Sequence, residues 1–319
     1  MKLCVFGAGA VGGHIAAKLA ASGEQVSVVA RGAQLEAIRK NGLRLLHGNE
    51  VISGKPEASD SPAELGPQDM VLVTLKANQL GSFADGAAPL LGPDTAVAFV
   101  QNGIPWWYAK ELTRLDPGGR LARAFSLKRV IGGVAYSANT IVEPGVIKNY
   151  VPGNNMIVVG EADASSSARI AALRKILENA GLSSPPLDDI RQSIWAKLLQ
   201  NLGTSSLTTL TGATVDEVRG DPHLAQVMAR LGAEGKAIAR ADGVDVERAP
   251  KRPGGGQSSG AVGHKPSMLQ DYERGRPMEI DAQLTAPLER ARARGVSAPT
   301  LEAIVALVLH KATAKGLYG

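Results

Sequence analysis

Apolar positions along this chain follow two regimes: short unbroken runs in the first half and one-sided helical stripes in the second. Leu3–Phe6, Gln25–Ala30, Met70–Leu75 and Thr95–Val100 are runs of aliphatic and β-branched residues with little polar alternation. A run of that kind needs cover on both faces, which is the situation of a strand inside a parallel sheet. An Ala-rich helix ending near Ser22-Gly23 separates the first two strands. Arg129–Tyr136, Gly145–Asn149 and Met156–Gly160 predict further strands, with Pro144-Gly145 and Pro152-Gly153 as turns. Ala168–Ala180 predicts a helix, because Ile170, Leu173, Leu177 and Ala180 share one face and Gly181 stops it. Tandem Pro185-Pro186 then breaks the alternation.

From Asp188 onward the helical period dominates, with helices predicted over Ile190–Leu202, His223–Ala241, Ser267–Arg274 and Glu279–Ala293. Leu301, Ile304, Val305, Val308 and Leu309 form a last one-sided stripe, opened by Pro299 and followed by Gly316. The pattern predicts an α/β class with two domains, a doubly wound sheet over residues 1–186 and an all-helical domain over 187–319. Pro250–Gly263 reads as a surface loop, with a mobile lid as the alternative.

Composition narrows the class. A chain of 319 residues has room for two domains, at roughly 100–200 residues each. Its 44% apolar content and mean hydropathy of −0.01 predict a soluble globular protein. No stretch reaches the roughly 18 apolar residues of a membrane span. The first apolar segment is interrupted by Gly7, Gly9, Gly12 and Gly13, so it does not read as a signal peptide, and the cytoplasm is expected. The single Cys4 cannot form an intramolecular disulfide and reads as a small buried hydrophobe. His14, His47, His223, His264 and His310 lack ligand spacing, so no metal is expected. The formal charge of +5 calls for an anionic partner. Aromatics at 4% and scattered basic residues argue against nucleic acid and for a small anion. Arg290, Arg292 and Arg294 read as a solvated helix face, and Val and Leu surfaces of the helical half could form a homodimer.

The candidate chemistry begins at Gly7-Ala8-Gly9-Ala10-Val11-Gly12, between the first strand and its helix. In this context the three glycines serve a tight turn, close approach of a pyrophosphate and close helix–strand packing. The helix start at Ala10 and Val11 offers unpaired N–H groups to the anion. The alternative is a glycine-rich turn with no ligand. The second strand ends in Ala30-Arg31-Gly32, without the acid that would bind a ribose 2′-hydroxyl. Arg31 would instead pair with a 2′-phosphate, which predicts NADPH over NADH; its bland reading is a solvated strand end. Lys76 and Asn102 follow strands at the sheet's carboxyl edge, where α/β sheets bind ligands. A solvated Lys and a turn Asn are the alternatives there. In the helical half Lys197 and Asn201 are four apart and share a helix face. Apolar neighbours suggest partial burial of Lys197, and a partner for it could lie in Pro277–Asp281.

These segments resemble the ketopantoate reductases (2-dehydropantoate 2-reductases). The resemblance runs over GAGAVGG, the Arg31 strand end, VTLKANQ at Val73–Gln79, QNG at Gln101–Gly103 and GGVAYSANTIVEPGVIKN at Gly132–Asn149. It continues through WAKLLQN at Trp195–Asn201, HKPSMLQD at His264–Asp271 and GRPMEID at Gly275–Asp281. It implies a Rossmann-type parallel-sheet domain followed by an all-helical C-terminal domain, with the active site in the cleft between them. It also implies NADPH-dependent reduction of a 2-keto acid. Residue by residue, Lys197 matches the catalytic Lys, Glu279 the acid that works with it, and Asn102, Asn201 and Ser267 substrate contacts. Gly7, Gly9, Ala10, Val11, Gly12, Arg31, Lys76 and Asn102 match cofactor positions. Two positions depart from the family pattern: Ser205 and Leu284 stand where many members carry Asn, which leaves ketopantoate itself in question. Two other readings are a non-catalytic NADP(H)-sensing regulator and a related dehydrogenase acting on another 2-keto acid, an opine or a 3-hydroxy acid. The regulator would have no need of Lys197 and Glu279.

Overall fold

The computed structural model describes residues 1–252 and 263–318. The Pro250–Gly263 loop therefore falls largely outside the described residues. Contacts divide the chain into two units: Met1–Gln101 with Gly119–Ile190 and the residues that begin at Pro250, and Asn102–Gly118 with Arg191–Ala249 and the C-terminal segment. The chain thus crosses between units more than once. Asn102–Gly118, which a single boundary after residue 186 would assign to the sheet, belongs with the helices.

In the first unit the strands are β1 (Leu3–Phe6), β2 (Val26–Val29), β3 (Leu43–His47), β4 (Glu50–Gly54), β5 (Glu57–Ser59), β6 (Gln68–Val73) and β7 (Leu91–Val100). They continue with β8 (Val130–Tyr136), β9 (Asn139–Glu143), β10 (Val146–Asn149) and β11 (Met156–Glu161). Its helices are α1 (Ala10–Ala21), α2 (Gly32–Asn41), α3 (Pro62–Leu65), α4 (Leu80–Gly86), α5 (Arg120–Ala124) and α6 (Ala168–Asn179). The main sheet has the order β11-β8-β7-β6-β1-β2-β5. It is parallel except for β11, which runs antiparallel to β8. Alternation along β1 sends Leu3 and Val5 into a core with Ile15, Leu19, Leu173 and Leu177. Phe6 faces the other way and meets Phe83 edge-on at 4.8 Å. Because β1 pairs with β2 on one side and β6 on the other, the strand order reverses at the carboxyl end of β1. That is the ligand position of an open α/β sheet.

A second sheet, β4-β3-β10-β9, was not apparent in the apolar pattern. Its edge strand β4 is mostly exposed and has just two apolar residues, Val51 and Ile52, so no long apolar run marks it. The predicted strand at Gly145–Asn149 is β10, which pairs parallel with β3 and antiparallel with β9 rather than joining the main sheet.

The second unit holds α7 (Ile190–Thr211), α8 (Val215–Gly220), α9 (Pro222–Ala241), α10 (Ser267–Glu273), α11 (Ala286–Ala293) and α12 (Pro299–Ala314). Helix α7 runs nine residues beyond the predicted end at Leu202. The extension is rich in Ser and Thr, which are weak helix formers. Here Ser205, Ser206, Thr208 and Thr209 are buried, and threonine hydroxyls donate back to carbonyls four residues earlier: Thr204 to Gln200 at 2.7 Å, Thr208 to Thr204 at 2.7 Å and Thr209 to Ser205 at 2.7 Å. Burial decides the conformation where propensity would not.

The expected solvated arginine face is corrected at Arg290, which is only 3% exposed. Its guanidinium grips Asp242 at 2.9 and 2.5 Å and also pairs with Glu111. Tyr108 donates to Asp242 at 3.0 Å, and the Trp195 indole N–H donates to the Tyr108 hydroxyl at 2.8 Å. This network ties the 102–118 segment to α7, α9 and α11. Burial alone would raise the Asp242 carboxyl, but hydrogen bonds from Arg290 and Arg294 outweigh it and hold the group below the usual carboxylate range. Among the described residues no helix is long and apolar enough to cross a membrane.

Candidate active site

The nucleotide side is built from backbone. Gly7 leaves β1 at φ +106°, a conformation that favours glycine. Gly12 lies so close to the strand end that a Cβ there would sit 1.9 Å from the Gly7 carbonyl oxygen. Thr74, just beyond β6, locks this contact by donating to the Gly7 oxygen at 2.7 Å. Gly9 is different: a Cβ on it would meet nothing within 4 Å. Packing inside the protein therefore explains Gly7 and Gly12, while Gly9 keeps an open approach to the start of α1. Gly9 is the N-cap of that helix, and Ala10 and Val11 are its first residues. The first turn carries no acid to oppose an anion. These residues fit the pyrophosphate of a dinucleotide.

Arg31 is exposed and caps the start of α2, one residue after the buried Ala30. Lys76 is half-buried at the end of the turn after β6. The Gln101 side chain donates to the Leu75 carbonyl at 3.1 Å, linking the ends of β7 and β6. The next residue, Asn102, already belongs to the second unit.

In that unit the candidate residues are side chains on separate segments. Lys197 and Asn201 are half-buried on one face of α7, with the buried Ser205 one turn further along. Glu279 is 7% exposed and precedes a single π turn over Asp281–Thr285. The predicted helix Glu279–Ala293 therefore contains a change of winding. Ala286 N–H bonds the Asp281 carbonyl, five residues back. Pro287 has no N–H to offer the next carbonyl, that of Ala282. Ile104 N–H fills the vacancy at 2.8 Å. This draws in Gly103, at φ +80°, so closely that a Cβ would lie 2.3 Å from the Ala282 oxygen. Asn102 is thereby fixed beside the π turn. Tyr318 anchors the other side by donating to Asp281 at 2.8 Å, and Met278 N–H bonds the Leu317 carbonyl at 3.2 Å.

One residue of this turn was missed in the sequence. Gln283 is 2% exposed, and its side-chain oxygen accepts from the Asn201 amide at 3.4 Å. A polar residue inside an otherwise apolar helix face was its only sequence signal. Leu284 is 1% exposed and packs in the core. Ser267 stands on a separate element, as the exposed first residue of α10. Groups of His, Cys, Asp and Glu that could hold a metal ion are absent among the described residues.

The ketopantoate reductase PanE/ApbA family matches residues 3–164, and the ketopantoate reductase PanE/ApbA C-terminal domain matches residues 189–312. The chain belongs to this family. It is an oxidoreductase, which sets aside the non-catalytic regulator. The 2-dehydropantoate 2-reductase of Mesorhizobium japonicum is 42% identical, over 100% of this chain and 100% of that protein. The crystal structure of 2-dehydropantoate 2-reductase from Geobacter metallireducens GS-15 is 28% identical with a TM-score of 0.83, covering 97% of this chain and 99% of that one. D-mandelate dehydrogenase shares the fold at 22% identity and a TM-score of 0.82, covering 99% of this chain and 100% of its own.

Proposed function

We propose that this family member is a cytoplasmic enzyme that reduces 2-dehydropantoate (ketopantoate) to pantoate with NADPH, a step toward pantothenate and coenzyme A. The observation that carries the reading is the 42% identity, end to end, with the Mesorhizobium 2-dehydropantoate 2-reductase. The glycine loop supports the nucleotide, and Arg31, with no acid beside it at the strand end, supports the 2′-phosphate. NADPH, when bound, supplies the hydride.

Lys197 is the proton donor to the substrate's C2 oxygen and the cation that stabilises charge developing there. General acid catalysis of this kind contributes about 10²–10⁴-fold, and charge stabilisation in a dry site adds to it. Glu279 holds Lys197 in place and offsets the cost of its partial burial. Asn102 and Asn201 orient the acid with neutral hydrogen bonds, which leaves the charge balance to Lys197. Ser267 meets the substrate carboxylate, and Lys76 lies toward the cofactor.

Loss of reduced-nicotinamide absorbance with ketopantoate and a panel of 2-keto acids tests the reading. Ketopantoate should give the highest kcat/KM, with NADPH preferred to NADH. A higher kcat/KM on another 2-keto acid would replace the substrate. No turnover on any acid would overturn the reading.

A further inference from the structure

We infer that Gln283 is a positioning residue that turns the Asn201 amide so that its carbonyl oxygen faces the substrate, selecting 2-keto acids that carry a hydroxyl. This rests on the proposal that Asn201 meets the substrate. A side-chain amide is ambivalent, since one end donates and the other accepts. Left free, Asn201 could present either end. In the structure Gln283 Oε1 accepts from Asn201 Nδ2 at 3.4 Å, which leaves Oδ1 on the opposite side of the amide.

The turn that carries Gln283 is held. Gln283 is 2% exposed. It rides on the π turn, whose Ala282 carbonyl is bound by Ile104 N–H at 2.8 Å and whose Asp281 is bound by Tyr318 at 2.8 Å. Swinging it away would bury an unpaired amide, which is costly. Leu284, the next residue, is 1% exposed and has no polar side-chain atom to compete for Asn201.

An ionised 2-keto acid offers only acceptors through its carboxylate and carbonyl. A hydroxyl elsewhere on such a molecule adds a group that can donate to Asn201 Oδ1. An acid of the same shape without that hydroxyl would leave the half-buried acceptor unpaired, and a site built around a hydrogen bond discriminates strongly against such an analogue.

The test compares ketopantoate with 3,3-dimethyl-2-oxobutanoate, its counterpart lacking the hydroxyl, on the wild-type enzyme and two variants. The wild-type KM for the deoxy acid should exceed that for ketopantoate by about tenfold, the value of one ordinary hydrogen bond. Gln283→Met, similar in length but without the amide, should erase most of that ratio while changing kcat on ketopantoate by less than about twofold, as expected for lost ground-state binding. Gln283→Glu, which keeps an acceptor oxygen, should retain the ratio. Equal wild-type KM values overturn the inference while leaving the reductase intact. A ratio that survives in Gln283→Met overturns it as well. A wild-type enzyme that reduces neither acid overturns the proposed function, and the inference falls with it.

Discussion

The glycine loop after β1 and the π turn before α11 both press a glycine against a carbonyl oxygen, but they are assembled differently. The loop needs six neighbouring residues, Gly7 to Gly12, and one hydroxyl from Thr74. The π turn gathers Ile104 and Tyr318 from distant segments, and its Gln283 meets Asn201 from 82 positions away. A phosphate chain is recognised by backbone N–H groups that any sequence carries, so the sequence needs only to clear space for them. An organic acid must be told apart from others of its size, and that takes chosen side chains from several elements. The first design is compact in sequence, whereas the second exists only after folding.

The largest expected effect separates chemistry from nucleotide binding. Lys197→Ala should lower kcat by about 10²–10⁴-fold while NADPH affinity, read by fluorescence titration, stays within twofold of about its wild-type value. Equal loss of both would show that the two regions do not act separately. Next comes the ionic network of the second unit. Asp242→Ala leaves Arg290, 3% exposed, without its main partner. It should destabilise the protein by about 3–5 kcal/mol in denaturant titration, as removal of one member of a buried ion pair does.

Matched lesions then test the comparison itself. Gly12→Ala puts a Cβ 1.9 Å from the Gly7 oxygen, and Gly103→Ala puts one 2.3 Å from the Ala282 oxygen. Each should cost at least about 1–3 kcal/mol by overpacking, and at Gly103 the φ of +80° adds backbone strain. Gly12→Ala should weaken NADPH binding, and Gly103→Ala should raise KM for the acid with NADPH affinity retained. A reversed pattern would reverse the assignment of the two regions.

The units also differ in how they bury polar groups. In the first, His14 is fully buried with neither ring nitrogen hydrogen-bonded in the structure. Burial first, then the nearby charges of Lys18 and His47, lowers its pKa from 6.5 to about 3. The native state therefore keeps His14 neutral while the unfolded chain takes up a proton. This stabilisation is complete above pH 6.5 and is lost as pH falls toward 3. Thermal melts across that window should show a smaller decline in His14→Leu than in the wild type. The smallest effect belongs to Arg31, whose exposure limits its contribution. Arg31→Ala should reduce the NADPH-over-NADH preference by about tenfold, the scale of one charge-assisted contact. An unchanged ratio would remove Arg31 from cofactor choice.

Much of the first unit was legible because its strands are runs that burial on both faces demands. Leu3–Phe6 is β1 as predicted, and Ile170, Leu173 and Leu177 lie on the predicted helix. The second sheet was not legible, because β4 and β9 are short, largely exposed strands with just two apolar residues each. The end of α7 was hidden by Ser and Thr whose helical state depends on burial. In the candidate site, spacing put Gly7, Gly9 and Gly12 on one turn and helical period put Lys197 and Asn201 on one face, while a role for that face came from the family resemblance. Gln283 could not be read, because its meaning comes from a partner on another helix. Arg290 was misread for the same reason, since only folding brings Asp242 and Glu111 to it.

Pro287 gives the π turn a wider consequence. By withholding one N–H, it lets the helix take up an extra residue and frees a carbonyl for Ile104. Rewinding that turn to α geometry would rotate the side chains on one side of it by about 100° relative to the other. Gln283 would leave Asn201 and a different neighbour would take its place, with Lys197 undisturbed on its own helix. Helical winding at this point acts as a selector dial: one click would change which side chain meets Asn201 without moving Lys197 on its own helix.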